Sequence, residues 1–188
     1  LRMMFRRVLI ANRGEIALRI LRSLHSLGIE AVMIYGREDR ISTPVRLADE
    51  SVYIPRDDPL ASYLDIEAIV TAAKDVGADA VHPGYGFLAE NPTFAKRLCE
   101  EGITFIGPSA EILQLLGDKI TAREAMSKAG LPIAMGSPGP ISNSKEASLI
   151  AEEIGYPVII KAAAGGGGIG MQVVQSPEEF ESAMKLCQ

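Results

Sequence analysis

The hydrophobic positions of the first 117 residues alternate between short apolar runs and longer stretches with helical spacing. The apolar runs are rich in Val and Ile and predict strands at 6–12, 30–36, 51–55, 78–84 and 103–108. Three of the stretches between them predict helices over 14–28, over 65–77 and from Pro92 to just before Gly102, and the stretch between the second and third strands is predicted to be a polar loop. Because strands that alternate with helices form parallel sheets covered on both faces, we predict one doubly wound α/β domain over residues 1–117.

The alternation of strands and helices ends near residue 109. The predicted elements there are helices at 109–116 and 118–129, a Pro-, Gly- and Ser-rich linker at 131–144, a helix at 146–154, two short strands and a last helix. That last helix has a strong start signal, with Ser176 as N-cap, Pro177 at the first position and Glu179 at the third. Since one two-stranded hairpin is too little sheet to be stable alone, we expect residues 118–188 to be the incomplete beginning of a second domain.

Helical spacing also predicts which side chains are buried. In the first helix the inward stripe is Ile16, Ile20, Leu24 and Leu27, with Gly28 as the stop. The two cysteines, Cys99 and Cys187, fall on apolar stripes and are predicted to lie in the core. His25 lies in a polar part of its helix and is predicted to face solvent.

Composition narrows the class of protein. The chain is 47% hydrophobic and 23% charged, as globular domains are. A net charge of -5 and a pI near 5.2 argue against nucleic acid or an anionic membrane as a partner. Two cysteines give no disulfide framework, and no apolar run approaches the roughly 20 residues of a membrane-spanning helix. We therefore expect a cytoplasmic protein.

The segment AAAGGGGIGM, residues 162–171, raises the first question of function, because it places four glycines in a row between two predicted strands. The P-loop and the dinucleotide loop both run from strand through glycines to helix, and the first strand-to-helix turn, ANRGEIA, has only one glycine. A strand–glycine–strand hairpin can instead lie over a triphosphate as a lid, with Lys161 adding charge. Composition alone leaves this lid and a plain hairpin tip both open.

An ordered set of segments then carries a family resemblance. The segments are VLIANRGEIALRI (8–20), HPGYGFLAEN (82–91), FIGPSAE (105–111), GDK (117–119) and GYPVIIKAAAGGGGIGM (155–171). Together they resemble the biotin carboxylase component of biotin-dependent carboxylases, an ATP-grasp family with a Rossmann-like pre-ATP-grasp domain at its amino terminus. The resemblance implies a ligase that makes carboxyphosphate from ATP and bicarbonate and then carboxylates N1′ of biotin on a carrier protein.

The resemblance also implies roles for particular residues. Those matching ATP-contacting positions are Lys119, Lys161, Gly167, Gly168 and Met171. Those matching positions on the biotin side are Tyr85, Gly86 and Glu90. No catalytic residue and no metal ligand is assigned, because the family's metal-binding carboxylates, bicarbonate-binding lysine and arginine and adenine-binding segment are expected beyond residue 188. ATP, Mg²⁺ and carrier-bound biotin are the implied cofactors.

The remaining motif residues are given structural roles. Asn12, Arg13 and Glu15 are expected to provide packing and turn geometry, and His82 is expected to be a packed or capping histidine rather than a catalytic one. One departure from the family lies in the glycine segment, where Ile169 replaces the usual basic residue. A lid without that cation is expected to close over phosphate more weakly.

Three functions stay open at this point. The chain is either part of a biotin carboxylase, inactive by itself, or part of another ATP-grasp ligase, or a non-catalytic binding or assembly module. The first implies a biotin carboxyl carrier protein, a carboxyltransferase and a homodimer of the complete component as partners. The final acceptor of the carboxyl group (acetyl-CoA, as in fatty acid synthesis, or propionyl-CoA, pyruvate or urea) belongs to the carboxyltransferase and is not fixed by this sequence.

Overall fold

The computed structural model describes residues 5–137, 139, 141, 143–161 and 170–187, apart from the side chain of Lys119. The chain divides into two compact units, Leu1–Asp118 and Lys119–Gln188. None of the helices in the described ranges is long and apolar enough to cross a membrane.

The first unit is a five-stranded parallel sheet with helices on both faces, which confirms the predicted α/β class. Its strands are β1 (Arg7–Ile10), β2 (Glu30–Tyr35), β3 (Glu50–Tyr53), β4 (Ala80–His82) and β5 (Thr104–Phe105), in the order β3-β2-β1-β4-β5. Its helices are α1 (Gly14–Ser26), α2 (Thr43–Leu47), α3 (Ile66–Asp75), α4 (Pro92–Glu100) and α5 (Ala110–Gly117). Two short 3₁₀ turns, Arg37–Asp39 and Ala61–Tyr63, lie in the connections.

Two apolar layers cover this sheet, because successive side chains of a strand point to opposite faces. In β1, Val8 and Ile10 pack in the layer with α1, whereas Leu9 packs in the layer with α3 and α4. All three side chains are fully buried. The strands therefore read as continuous apolar runs, as expected of a parallel sheet buried on both sides.

Helix boundaries follow the capping residues. Asp65 and Asn91 accept hydrogen bonds of 2.9 Å from the amides of Ala68 and Phe94, and so cap α3 and α4. Pro92 opens α4 as predicted. Gly28 ends the turn after α1 with a φ of 69°, which also agrees with the prediction.

Four predictions about the first unit are wrong. Leu27 is 65% exposed, because α1 ends at Ser26 and Leu27 has already turned away from the sheet. Cys99 is exposed, because Phe94, Ala95 and Leu98 occupy the buried face of α4. The segment between β2 and β3, predicted to be a polar loop, contains α2, and the predicted strand 103–108 is only two residues long.

The second unit is smaller. It contains α6 (Lys119–Lys128), α7 (Ser144–Ile154), β6 (Val158–Lys161), β7 (Met171–Val174) and α8 (Pro177–Cys187). The two strands pair antiparallel, and α7 and α8 pack on one face of this hairpin. The buried core between these helices and the hairpin includes Ala147, Ala151, Phe180, Ala183 and Met184. Cys187 is only half-buried and lies outside that core.

Candidate functional site

The carboxyl ends of β1 and β4 form the switch point of the first unit. These strands are neighbours, with Ile10 opposite His82, yet the chain leaves β1 toward β2 on one side and leaves β4 toward β5 on the other. Open α/β sheets place their ligands at such a switch point, and we call this edge of the sheet the β1–β4 crevice. The segments ANRG and HPGYGFLAEN meet here, and the amide of Ala11 donates to the carbonyl of His82 over 2.9 Å.

Asn12 joins the two segments. Its side chain is 2% exposed, and its Nδ2 donates to the carbonyls of Pro83 (2.8 Å) and Tyr85 (2.9 Å). Its Oδ1 accepts from the amide of Arg13 over 2.9 Å, so every polar atom of this buried amide is used in the turn. The expected turn-holding role of Asn12 is confirmed.

The close approach of Asn12 explains Gly84. This residue has a φ of 69°, and a Cβ there would lie 2.7 Å from Asn12 Nδ2 and 2.8 Å from Ile16 Cγ2. Only glycine fits here, because other residues adopt a positive φ unfavourably and carry a Cβ that would clash with these two side chains. His82 belongs to the same turn, because its Nδ1 accepts from the Gly84 amide over 3.0 Å. Burial lowers the pKa of His82, which keeps the imidazole neutral and able to accept, in agreement with the predicted capping role.

The three residues predicted for the biotin side lie together in the loop between β4 and α4. Tyr85 has its carbonyl fixed by Asn12 while its side chain is 81% exposed. Gly86 follows with a φ of 76°, and Glu90 is exposed just before the capping residue Asn91. The loop thus exposes an aromatic ring, a glycine backbone and a carboxylate within six residues.

A cluster that the sequence patterns did not single out lies beside this loop. Arg13 donates to both carboxylate oxygens of Asp39, with Nε to Oδ2 at 2.8 Å and Nη2 to Oδ1 at 2.9 Å. The hydroxyl of Tyr63 donates to Asp39 Oδ2 over 2.8 Å and accepts from the Gly36 amide over 3.3 Å. The Tyr63 ring stacks on Phe87, with ring centroids 5.2 Å apart. We call Arg13, Asp39, Tyr63 and Phe87 the loop-side cluster.

The ionisation states of this cluster follow from its contacts. Burial favours the neutral acid, but hydrogen bonds from Arg13 and Tyr63 outweigh it and hold the pKa of Asp39 below its ordinary value. Burial and the hydrogen bond to Asp39 raise the pKa of the Tyr63 hydroxyl. The hydrogen bond to Asp39 raises the pKa of Arg13. The cluster therefore holds one carboxylate between a cation and a neutral phenol.

The hairpin of the second unit brings two of the predicted nucleotide residues together. Lys161 and Met171 are directly opposed across β6 and β7, and Ile159 opposes Val173 on the same face. The other face carries Val158, Ile160 and Val174, which pack in the core with α7 and α8. The open face is thus apolar with a lysine at the end where the glycine segment begins, and Ile159, Met171 and Val173 are each about half exposed there (54%, 47% and 49%).

Several predicted residues are not settled by these contacts. Gly167, Gly168, Ile169 and the predicted lid lie outside the described residues. Lys119 begins α6, but its side chain is also outside them. In the described ranges no group of three or more His, Cys, Asp or Glu side chains could hold a metal ion.

Comparison with known proteins now identifies the family. One unit is a five-stranded parallel-sheet domain, and the other contains a two-stranded antiparallel hairpin covered by helices on one face. Residues 4–113 match the family model "Biotin carboxylase, N-terminal domain", and residues 118–188 match "Carbamoyl-phosphate synthase L chain, ATP binding domain". The first match covers more than half of the chain, so the chain belongs to the biotin carboxylase family.

Individual relatives agree with this assignment. A biotin carboxylase from Pseudomonas aeruginosa is 53% identical over 184 residues, which cover 97% of this chain and 41% of the relative. Biotin carboxylase 1 from Bacillus subtilis is 52% identical over 186 residues, with coverage of 98% and 41%. The biotin carboxylase domain dimer of Hydrogenobacter thermophilus 2-oxoglutarate carboxylase, solved with MgADP, ADP and bicarbonate, is 48% identical with a TM-score of 0.89 and coverage of 98% and 42%.

The chain spans about two-fifths of the length of the relatives it matches. The relatives also include pyruvate and 2-oxoglutarate carboxylases, so a link to acetyl-CoA carboxylase and fatty acid synthesis is not specific to this chain.

Proposed function

We propose that this chain forms the amino-terminal part of a biotin carboxylase that uses ATP and bicarbonate to make carboxyphosphate and then carboxylates biotin on a carrier protein. The observation that carries this proposal is the β1–β4 crevice, where Asn12 holds the HPGYG turn and the loop presents Tyr85, Gly86 and Glu90. We assign these three residues to the biotin side of the site.

The nucleotide side of the proposal rests on the open face of the hairpin. An adenine ring needs apolar contact, and a transferring phosphoryl group needs positive charge. Met171, Ile159 and Val173 supply the apolar contact, and Lys161 lies on the same face at the phosphate end. We assign Lys119, Gly167 and Gly168 to the same nucleotide on the basis of the family resemblance.

The implied cofactors are ATP, Mg²⁺ and carrier-bound biotin. The Hydrogenobacter domain was solved with MgADP and bicarbonate, which supports the same small ligands for this family member. Within the described ranges no group of three or more His, Cys, Asp or Glu side chains could hold the ion. We infer from the family resemblance that the Mg²⁺ ligands belong to the part of the complete component that this chain does not cover. When bound with ATP, Mg²⁺ would neutralise phosphate charge during phosphoryl transfer.

The partners and location belong to the same proposal. We infer a biotin carboxyl carrier protein and a separate or fused carboxyltransferase as partners, and a homodimer of the complete component, since the Hydrogenobacter biotin carboxylase domain is a dimer. The two cysteines and acidic charge favour a cytoplasmic protein without nucleic acid or membrane partners. Residues 1–117 would be the pre-ATP-grasp domain and 118–188 the beginning of the ATP-grasp domain.

A second candidate is another ATP-grasp ligase. The match of residues 118–188 to the ATP-binding domain of carbamoyl-phosphate synthase is the observation that favours it. The first unit argues against it, because residues 4–113 match the biotin carboxylase amino-terminal domain and carry HPGYGFLAEN. The two candidates differ in the acceptor, which is biotin in one case and not in the other.

The decisive test is a composite carboxylase, in which this chain is joined to the part of the Pseudomonas aeruginosa relative that it does not cover. We expect biotin-dependent phosphate release from ATP that requires bicarbonate. The matched control is the same composite with Lys161→Ala. A folded composite that binds ATP but releases phosphate without any dependence on biotin would favour another ligase. A folded composite that binds neither ATP nor biotin would favour a non-catalytic module.

The chain alone is expected to show no bicarbonate-dependent ATP hydrolysis, because it spans only two-fifths of its relatives. Phosphate release from the chain itself, clearly above that of Lys119→Ala, would contradict this expectation.

A further inference from the structure

We propose that the loop-side cluster positions Tyr85 and Gly86 for the carboxyl acceptor, with Tyr63 as its central positioning residue. This inference rests on the proposed function, because it concerns the loop assigned there to biotin. It adds residues from the connections after β2 and β3, which neither the motifs nor the family resemblance singled out.

The first step is that the exposed part of the loop is held on both sides. On the amino-terminal side of Gly86, Asn12 fixes the carbonyls of Pro83 and Tyr85. On the carboxyl-terminal side of Gly86, Phe87 packs against the Tyr63 ring, with the two ring planes tilted by 31°. Gly86 lies between the two supports, so its backbone position depends on both.

The second step is that Phe87 needs a support. Its φ of 44° makes it the one non-glycine residue with a positive φ in the part of the chain that is described. Such a conformation is unfavourable for a bulky side chain and persists only where surrounding contacts fix it. The stacking with Tyr63 is the aromatic contact that fixes this ring.

The third step is that Tyr63 is itself immobilised. It is 1% exposed, its hydroxyl is bound to Asp39 and to the Gly36 amide, and the guanidinium carbon of Arg13 lies 5.9 Å from its ring centroid. Asp39 is in turn gripped at both oxygens by Arg13, a geometry that fixes orientation as well as distance. Arg13 follows Asn12 directly, so both supports of the loop begin at the end of β1.

The test distinguishes the contribution of the Tyr63 ring from that of its hydroxyl. In the composite carboxylase, Tyr63→Leu removes the ring under Phe87, whereas Tyr63→Phe keeps the ring and loses only the hydroxyl contacts. We expect Tyr63→Leu to lower kcat/KM for biotin about tenfold or more, since small misplacements of a positioned group carry costs of that order, with the KM for ATP unchanged. Tyr63→Phe should lower kcat/KM for biotin by a smaller factor, about threefold, because the ring stays under Phe87 while its hydroxyl contacts to Asp39 and Gly36 are lost.

The matched control is Met33→Ala, a buried residue of β2 in the layer on the opposite face of the sheet. It should lower the melting temperature without changing kcat/KM for biotin. Equal kinetic losses from Met33→Ala and Tyr63→Leu, or an unchanged kcat/KM in Tyr63→Leu, would overturn the inference. An inactive unsubstituted composite would instead count against the proposed function.

A second measurement uses this chain itself and does not depend on activity. Hydrogen exchange of the loop amides of Ala89 and Asn91, which bond to the carbonyls of Gly86 and Leu88, reports the order of the loop. Tyr63→Leu should speed their exchange more than that of Leu9 in β1, and Tyr63→Phe should speed it by a smaller factor than Tyr63→Leu does. A uniform increase over the whole unit would mean that Tyr63 is a core residue without a positioning role.

Discussion

The sheets of the two units differ in how completely they are covered. In the parallel sheet of the first unit, the central strands β1 and β2 are buried on both faces. The hairpin of the second unit is covered by α7 and α8 on one face and leaves Ile159, Met171 and Val173 about half exposed on the other. Burial on both faces therefore stabilises the first sheet. The second sheet exposes an apolar surface with a lysine at one end, which is available to a ligand.

The largest expected effect tests the covered sheet. Leu9→Ala removes a side chain that is fully buried in the centre of β1 and should cost about 2–5 kcal/mol of unfolding free energy, because a cavity remains. The matched change in the open sheet, Ile159→Ala, should stay within about 0.5 kcal/mol. Denaturant unfolding of both variants makes the comparison. Similar costs for the two would show that the hairpin face is not open.

The next effect tests whether the open face serves a nucleotide. In the composite carboxylase, Lys161→Ala should lose about 1.5–3 kcal/mol of ATP binding, roughly 10- to 150-fold, because a charged hydrogen bond to phosphate is removed. The control is Lys145→Ala, which removes an exposed lysine near the start of α7. Nucleotide titration measures both. An affinity for ATP within about threefold of the unsubstituted protein in Lys161→Ala would remove Lys161 from the site.

A third effect compares two glycines of the same loop. Gly84 and Gly86 have φ values of 69° and 76°, so alanine strains the backbone equally at both positions. Only at Gly84 would the new Cβ meet Asn12 and Ile16. Gly84→Ala should therefore cost about 1–3 kcal/mol more than Gly86→Ala in thermal or denaturant unfolding. Equal costs would indicate that the turn has room to adjust and that Asn12 does not hold it tightly.

The smallest effect is a pH dependence of the loop-side cluster. Because the pKa of Asp39 is lowered in the folded state, its contribution is present above the unfolded value of about 3.9 and is lost as the pH falls through the lower folded value. The stability difference between the chain and Asp39→Asn, about 1 kcal/mol at pH 6, should therefore shrink as the pH falls below about 4. Unfolding curves at pH 6, 4 and 3 measure it. A difference that grows on acidification would contradict the sign.

The sequence patterns predicted the elements of the first unit well because its strands are buried on both faces and its helices have clear stops, such as Gly28. The missed helix α2 is only five residues long, too short to show a helical period. Leu27 and Cys99 were placed in the core by spacing alone, although the end of α1 and the filled face of α4 expose them.

The candidate site was predicted only where a contiguous motif marks it. Tyr85, Gly86 and Glu90 come from one segment, and the structure places that segment at the crevice. Asp39 and Tyr63 lie in connections with no motif and are brought to Arg13 by the sheet. Arg13 and Asp39 are separated by 26 positions, and Asp39 and Tyr63 by 24. No local sequence pattern predicts contacts over such separations, so the loop-side cluster is visible only in the folded structure.

The hydrogen bonds of Asn12 also bear on the order of folding events. They join atoms separated by 71 and 73 positions in the chain, with three helix-containing crossovers between them. Contacts of such long range form only after the intervening loop entropy has been overcome, which here requires β1 and β4 to have paired. The HPGYG turn should therefore be among the last parts of the first unit to reach its final shape. Asn12→Ala should then speed unfolding while leaving the refolding rate almost unchanged.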